Sequence, residues 1–105
     1  GDMLIRDAKA MESAGAAAIV LEVVPAELAA RVSEILTIPT IGIGAGPDTD
    51  AQVIVWQDLC GLTAGPVPKF VKRYADIRST MADAVGSWAA DVASGAYPAT
   101  EHAYA

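Results

Sequence analysis

Cysteine and histidine are almost absent from this sequence: each occurs once in 105 residues. A single cysteine excludes any disulfide within the chain and points to an intracellular setting. The histidine, His102, lies far from Cys60 along the sequence. Cys60 is therefore expected to be a buried, unreactive thiol rather than a nucleophile. Positive charge is also scarce. Seven Lys and Arg face 13 Asp and Glu, a net charge of -6, which argues against nucleic acid or an anionic membrane as the main partner. The one basic cluster, Lys69, Lys72 and Arg73, is brief and reads as the solvated face of a helix. No apolar run approaches the roughly 20 residues of a membrane span, and no leader pattern is visible.

Apolar residues are plentiful. At 53% hydrophobic, the chain has the material for the core of one domain. It opens "GDMLIRDAKA", without an initiating Met and already in a helical pattern. The expectation is a piece of a longer protein.

Leu4, Ala8, Met11 and Ala14 or Gly15 recur at helical spacing, with Asp2 as N-cap and Gly15 as the stop. "AAAIVL", running into Glu22, is too short for a typical helix and reads as a strand. Pro25 suits the first turn of the next helix, in which Leu28, Val32 and Ile35 or Leu36 share a face. Pro39 enforces the exit. "TIGIGAG", residues 40–46, reads as a second strand ending in a glycine loop, and "QVIVWQD", residues 52–58, as a third. Phe70, Tyr74, Ile77, Met81, Val85, Trp88 and Val92 then predict one long helix over 68–94, with Gly95 past its end and Gly86 inside it allowing close packing or a bend. That stripe is expected to pack against protein, part of it a neighbouring subunit.

Strands alternating with helices imply parallel α/β architecture. Three strands cannot close a barrel, and a (β/α)8 barrel takes roughly 200 residues or more. The chain is expected to be the last portion of one.

Side chains alternate across a strand. Ile19 and Leu21 share one face of the first strand; Ala18, Val20 and Glu22 share the other. In the second, Ile41 and Ile43 are expected outward against helices, with Thr40, Gly42 and Gly44 inward. Glu22 would then sit at the carboxyl end of its strand, facing the barrel axis, where active sites of such barrels lie. A carboxylate there, in space left by Gly42 and Gly44, is a candidate general base. The other reading of Glu22 is an ion-pair partner for an Arg or Lys of the next layer.

Five stretches, "LEVVPAELA", "IPTIGIGAG", "QVIVWQDLCG", "PKFVKRYAD" and "SGAYPATEHAY", occur in order along essentially the whole chain. Together they resemble the ketopantoate hydroxymethyltransferase family. The resemblance implies a (β/α)8 TIM barrel of the phosphoenolpyruvate/pyruvate superfamily, with this chain as its C-terminal portion. It implies a cytoplasmic, Mg2+-dependent homodecamer. It implies transfer of a one-carbon unit from 5,10-methylenetetrahydrofolate to 3-methyl-2-oxobutanoate, a small 2-oxo acid, giving 2-dehydropantoate. The family's base is the glutamate of "LE-x-VP", which falls on Glu22. Its metal ligands lie in the N-terminal half, so none is expected in this chain. That half, in the same or a companion chain, would be the obligate partner, and the chain alone would be inactive.

Asp48 and Asp50 are read as loop caps and Asp58 as a structural hydrogen-bonding group or cap. Two departures stand out. Ala51 replaces the family's usual Gly, which tolerates positive φ better, so that loop is expected to shift. The ending reads Glu101-His102-Ala103-Tyr104 where the family has "EHSF", and His102 is read as a tail contact. "GIGAG" lacks the spacing of a dinucleotide or P-loop and reads as clearance and a turn, with folate contact a further reading. Two other functions compete: a Mg-dependent carbon-carbon lyase of the same superfamily, and a non-catalytic barrel segment.

Overall fold

The structure, a computed structural model, describes residues 1–105. Gly1–Val55 with Pro68–Lys72 form one compact unit, and Trp56–Val67 with Arg73–Ala105 a second.

The first unit begins with α1, Asp2–Ser13. Gly1 is its N-cap, so Asp2 lies one position inside, where its charge suits the helix's positive end. The predicted stop is present. Gly15 has φ 99, its N–H donates to the Glu12 carbonyl at 3.0 Å, and Ala16 N–H donates to the Met11 carbonyl at 3.1 Å. This pair of bonds is a Schellman motif, which satisfies the last carbonyls of the helix. Leu4, Ile5 and Ala8 reach the core, whereas Met11 is exposed.

Strand β1, Ile19–Glu22, leads through Pro25 to α2, Ala26–Ile35, and then to β2, Thr40–Ile43. Pro25 is the N-cap of α2 rather than its first helical residue. β1 and β2 pair in parallel, and β3, Ala51–Gln52, adds a short parallel strand beyond β2. Ala8, Ile19, Leu21, Ala29, Val32, Leu36 and Ala45 form the buried core. The architecture is α/β with a parallel sheet, as expected.

The expected facing of the second strand is wrong. Directly paired residues of parallel strands point to the same side, and Ile19 pairs with Thr40, Leu21 with Gly42. Thr40 and Gly42 therefore share the buried, helix-covered face, while Ile41 and Ile43 share the open face with Val20 and Glu22. The reason is polar. Thr40 is fully buried, and its hydroxyl lies 2.6 Å from that of Ser33 on α2. Asp50 Oδ2 accepts from Thr40 N–H at 2.8 Å and from Thr40 Oγ1 at 3.0 Å. Asp50 thus ties the start of β2 to the start of β3, a loop-capping role like that expected. Ala51 has no positive φ, so the substitution for glycine causes no strain there.

Glu12 fastens the end of α1 to the turn before β2. Its Oε1 accepts from Thr37 N–H at 2.6 Å, Thr37 Oγ1 at 2.7 Å and Ile38 N–H at 3.1 Å. These bonds, chiefly from Thr37, hold the Glu12 carboxyl below its ordinary value of 4.5. A depressed folded value means the stabilisation is complete above the unfolded value and is lost as pH falls through the folded one. Acid titration of the melting temperature should show a fall that begins below about pH 4.5 and is shallower in Glu12→Gln. Parallel curves for parent and variant would remove Glu12 from the acid response.

Beyond β2 two expectations fail. The third strand was predicted over 52–58, but pairing ends at Gln52, save for Val53 N–H donating to the Gly42 carbonyl at 3.0 Å. The chain then winds into the short helix α3, Trp56–Leu59. The long helix α4 is Ile77–Ser94, not 68–94. Asp76 sets its start, accepting from Ser79 N–H at 3.2 Å, and these Ser79 hydrogen bonds lower the Asp76 carboxyl's pKa. Gly95, at φ 81, ends it as predicted. Residues on both sides of Asp76 are instead stitched to the end of α3 and the turn after it: Tyr74 N–H to the Leu59 carbonyl at 2.8 Å, Ile77 N–H to the Cys60 carbonyl at 2.9 Å, Arg78 N–H to the Gly61 carbonyl at 3.2 Å. Lys69, Lys72 and Arg73 are therefore not on a helix. Arg73 donates to the Thr63 and Gly65 carbonyls. Within this chain the α4 stripe does not pack: Met81 is 53% and Trp88 55% exposed. Gly86 has nothing near it.

Candidate functional site

Glu22 is the last residue of β1. Alternation with the buried Ile19 and Leu21 places it on the open face of the sheet, beside Ile43. Glu22 is exposed in this chain and forms none of the hydrogen bonds or ion pairs of the ion-pair reading. The apolar enclosure expected around it is not supplied by these residues.

The next residue is unusual. Val23 has φ 52, the only positive value outside glycine. A β-branched residue there is strained, by about 1–3 kcal/mol. Its N–H donates to the Ile43 carbonyl at 2.9 Å, which extends the pairing one step past Glu22. The turn sends Val24 back toward the core and brings Pro25 to the head of α2. Glu22 is thereby fixed at the point where the strand stops.

The two glycines expected to clear a pocket have different surroundings. A Cβ on Gly42 would come within 2.5 Å of Thr49 Oγ1, so its clearance serves the β2–β3 loop. Gly44, at φ 65, sits past the end of β2, and a Cβ there would lie 2.6 Å from Phe70 Cδ1. Gly46 in turn admits the Ala26 side chain. Val23, Val24, Gly44, Gly46, Lys69 and Phe70 line a cavity of about 450 Å³ beside the ends of β1 and β2. Sequence reading missed Val23, Lys69 and Phe70. Pro66 and Pro68 both precede the last two, which is as compatible with a helix start as with the turn found at 69–70.

The remaining candidates are structural. Asp58 Oδ1 accepts from Thr63 Oγ1 at 2.6 Å. His102 Nδ1 accepts from Ala99 N–H at 3.1 Å, and its ring lies 5.1 Å from that of Tyr97, a tail contact as read. Cys60 is half-buried rather than buried, because the backbone at 60 is held in the turn after α3. It has no partner that would make it a nucleophile. Cys60→Ser in the full-length enzyme should keep turnover within about tenfold, or about 1.4 kcal/mol in the barrier. A loss of several orders of magnitude in a folded variant would place the thiol in the reaction. No three His, Cys, Asp or Glu side chains converge, so these residues do not by themselves fit a Mg2+ cage. No helix is long and apolar enough to cross a membrane.

The match to known proteins is extensive. The family model described as ketopantoate hydroxymethyltransferase covers residues 1–100. A 3-methyl-2-oxobutanoate hydroxymethyltransferase of Streptomyces coelicolor is 65% identical over 99 residues, 94% of this chain and 34% of the relative. One of Frankia alni is 60% identical over 104 residues, 99% of this chain and 34% of the relative. One of Mycobacterium marinum is 53% identical over 103 residues, 98% of this chain and 35% of the relative. The chain thus spans about a third of the length of the curated relatives it matches. With nearly every residue inside the family match, the chain belongs to the ketopantoate hydroxymethyltransferase family.

Proposed function

We propose that this chain is part of an enzyme that transfers a hydroxymethyl group from 5,10-methylenetetrahydrofolate to 3-methyl-2-oxobutanoate, giving 2-dehydropantoate, with Glu22 as the base. The observation that carries the reading is the place of Glu22. It ends β1 on the open face of a parallel sheet and has no structural partner to hold it. In α/β proteins ligands gather at the carboxyl ends of such strands.

The chemistry follows from the residue type. The proton on C3 of the keto acid is acidified by the adjacent carbonyl. Glu22 takes it as a general base, leaving an enolate whose C3 attacks the one-carbon unit. A new carbon–carbon bond forms at C3 as one of the two C–N bonds that hold the one-carbon unit to the folate breaks; water then replaces the second, supplying the hydroxyl and releasing tetrahydrofolate. Val23's left-handed turn fixes the strand end that carries the carboxylate.

The wider reading is a (β/α)8 barrel, completed by segments other than these 105 residues, that would also supply the Mg2+ ligands. An enzyme of this kind would work in the cytoplasm. The open face of Val20, Glu22, Ile41 and Ile43 fits a barrel interior. The exposed Met81, Val85 and Trp88 on α4 fit packing against further protein, including neighbouring subunits of a decamer. The test is direct: full-length protein with Mg2+, both substrates and a readout of 2-dehydropantoate. Product formation that needs both substrates is the expected result. Absence of product from folded protein would overturn the reading.

A further inference from the structure

The cavity between the strand ends and the segment Pro68–Lys72 has a chemical character of its own. Val23, Val24 and Phe70 give it apolar walls, and Gly44 and Gly46 bring backbone close. Its volume, about 450 Å³, falls in the range of small-molecule sites, which are mostly apolar with a few polar groups that orient the ligand. Here one cation, Lys69, stands among the lining residues.

Two features mark it as a built site. The wall is formed by matched omissions: Phe70 occupies the place that a side chain on Gly44 would need, and Ala26 the place of one on Gly46. The cation is uncommitted. Arg73 is spent on the carbonyls of Thr63 and Gly65, and Lys72 has an interaction of its own. Lys69 has neither an ion pair nor a hydrogen bond. In a chain of net charge -6, an unpaired ammonium beside an apolar cavity at the strand ends selects for a ligand anion.

We propose that this cavity binds the apolar part of a reactant whose carboxylate is met by Lys69. The inference rests on the proposed reaction, and both reactants carry that chemistry. The keto acid has a branched alkyl group separated from its carboxylate only by the keto carbonyl, and the folate has an aromatic arm ending in carboxylates.

The experiment uses full-length enzyme with Lys69→Gln, Lys69→Glu and Lys69→Arg, and measures KM for 3-methyl-2-oxobutanoate and for 5,10-methylenetetrahydrofolate. Deuterium exchange at C3 of the keto acid without folate is followed in the same variants. One KM should rise about tenfold in Lys69→Gln and further in Lys69→Glu, with Lys69→Arg near the parent. A rise for the keto acid, repeated in the exchange assay, identifies the branched acid as occupant. A rise for the folate alone, with exchange unmoved, identifies the folate. Both KM values within twofold of the parent in both Gln and Glu variants overturn the proposal. If no one-carbon transfer occurs at all, the proposed function fails. Equilibrium dialysis of labelled keto acid and of tetrahydrofolate against parent and Lys69→Glu then still decides the cavity: weaker binding of either supports it, equal binding of both overturns it.

Discussion

Glu22→Gln in the full-length enzyme is expected to lower turnover by about 10²–10⁴-fold, the usual contribution of a general base. That corresponds to about 3–5 kcal/mol in the barrier. Glutamine keeps the volume and removes the basic oxygen, and Glu22 makes no structural contact that the change would break. The melting temperature should therefore stay close to the parent's. Exchange of the C3 proton into deuterated buffer, with keto acid and Mg2+ but no folate, should fall in parallel with turnover. That assay isolates proton removal from one-carbon transfer. Exchange at the parental rate in a folded Glu22→Gln protein would show that another group is the base.

The second large effect is on stability. Gly61 is buried, has φ 69, and a Cβ there would overlap the carbonyl oxygen of Ala75 and come within 3.1 Å of Asp76 Cα. The nearest atoms are all backbone of Ala75 and Asp76, so no side chain can swing away. It lies in the ladder that joins Leu59–Gly61 to Tyr74–Arg78 at the start of α4. Gly61→Ala should destabilise by about 3 kcal/mol or more, the sum of a left-handed alanine and an overpacked contact. Gly65→Ala is the control, because Gly65 also has a positive φ, 74, but nothing lies near its missing Cβ. It should lose only about 1–2 kcal/mol. Urea unfolding followed by Trp56 and Trp88 fluorescence compares the two. Equal losses would mean that the contact with Ala75 relaxes freely.

How far the sequence could be read depended on which force placed each residue. β1 was legible because Ile19 and Leu21 alternate cleanly with Val20 and Glu22, and burial follows that alternation. Glu22's face and its place at the strand end followed at once. β2 was misread because size was taken as the guide to its faces. Thr40 turns toward the helix-covered side for its hydrogen bonds to Asp50 and Ser33, and Gly42 for the sake of Thr49. Neither contact has a period in the sequence. The start of α4 was misread because Phe70 and Tyr74 happen to fall at helical spacing with Ile77. Backbone pairing with residues 59–61 outweighs that spacing. Asp76, with its N-cap bond to Ser79, was the local sign of the true start.

Val23 has a consequence for anyone evolving this protein toward heat resistance. Its left-handed backbone at φ 52 is a debit in the folded state that glycine or asparagine would not carry. Total reserves of folded domains are only about 5–15 kcal/mol, so relief at one position is selectable. A library screened solely by survival of heating would be drawn to this codon, one step from the carboxylate at the end of β1. Screens of that kind need a turnover check at every round, since the change that survives best is the one that loosens the neighbour of Glu22.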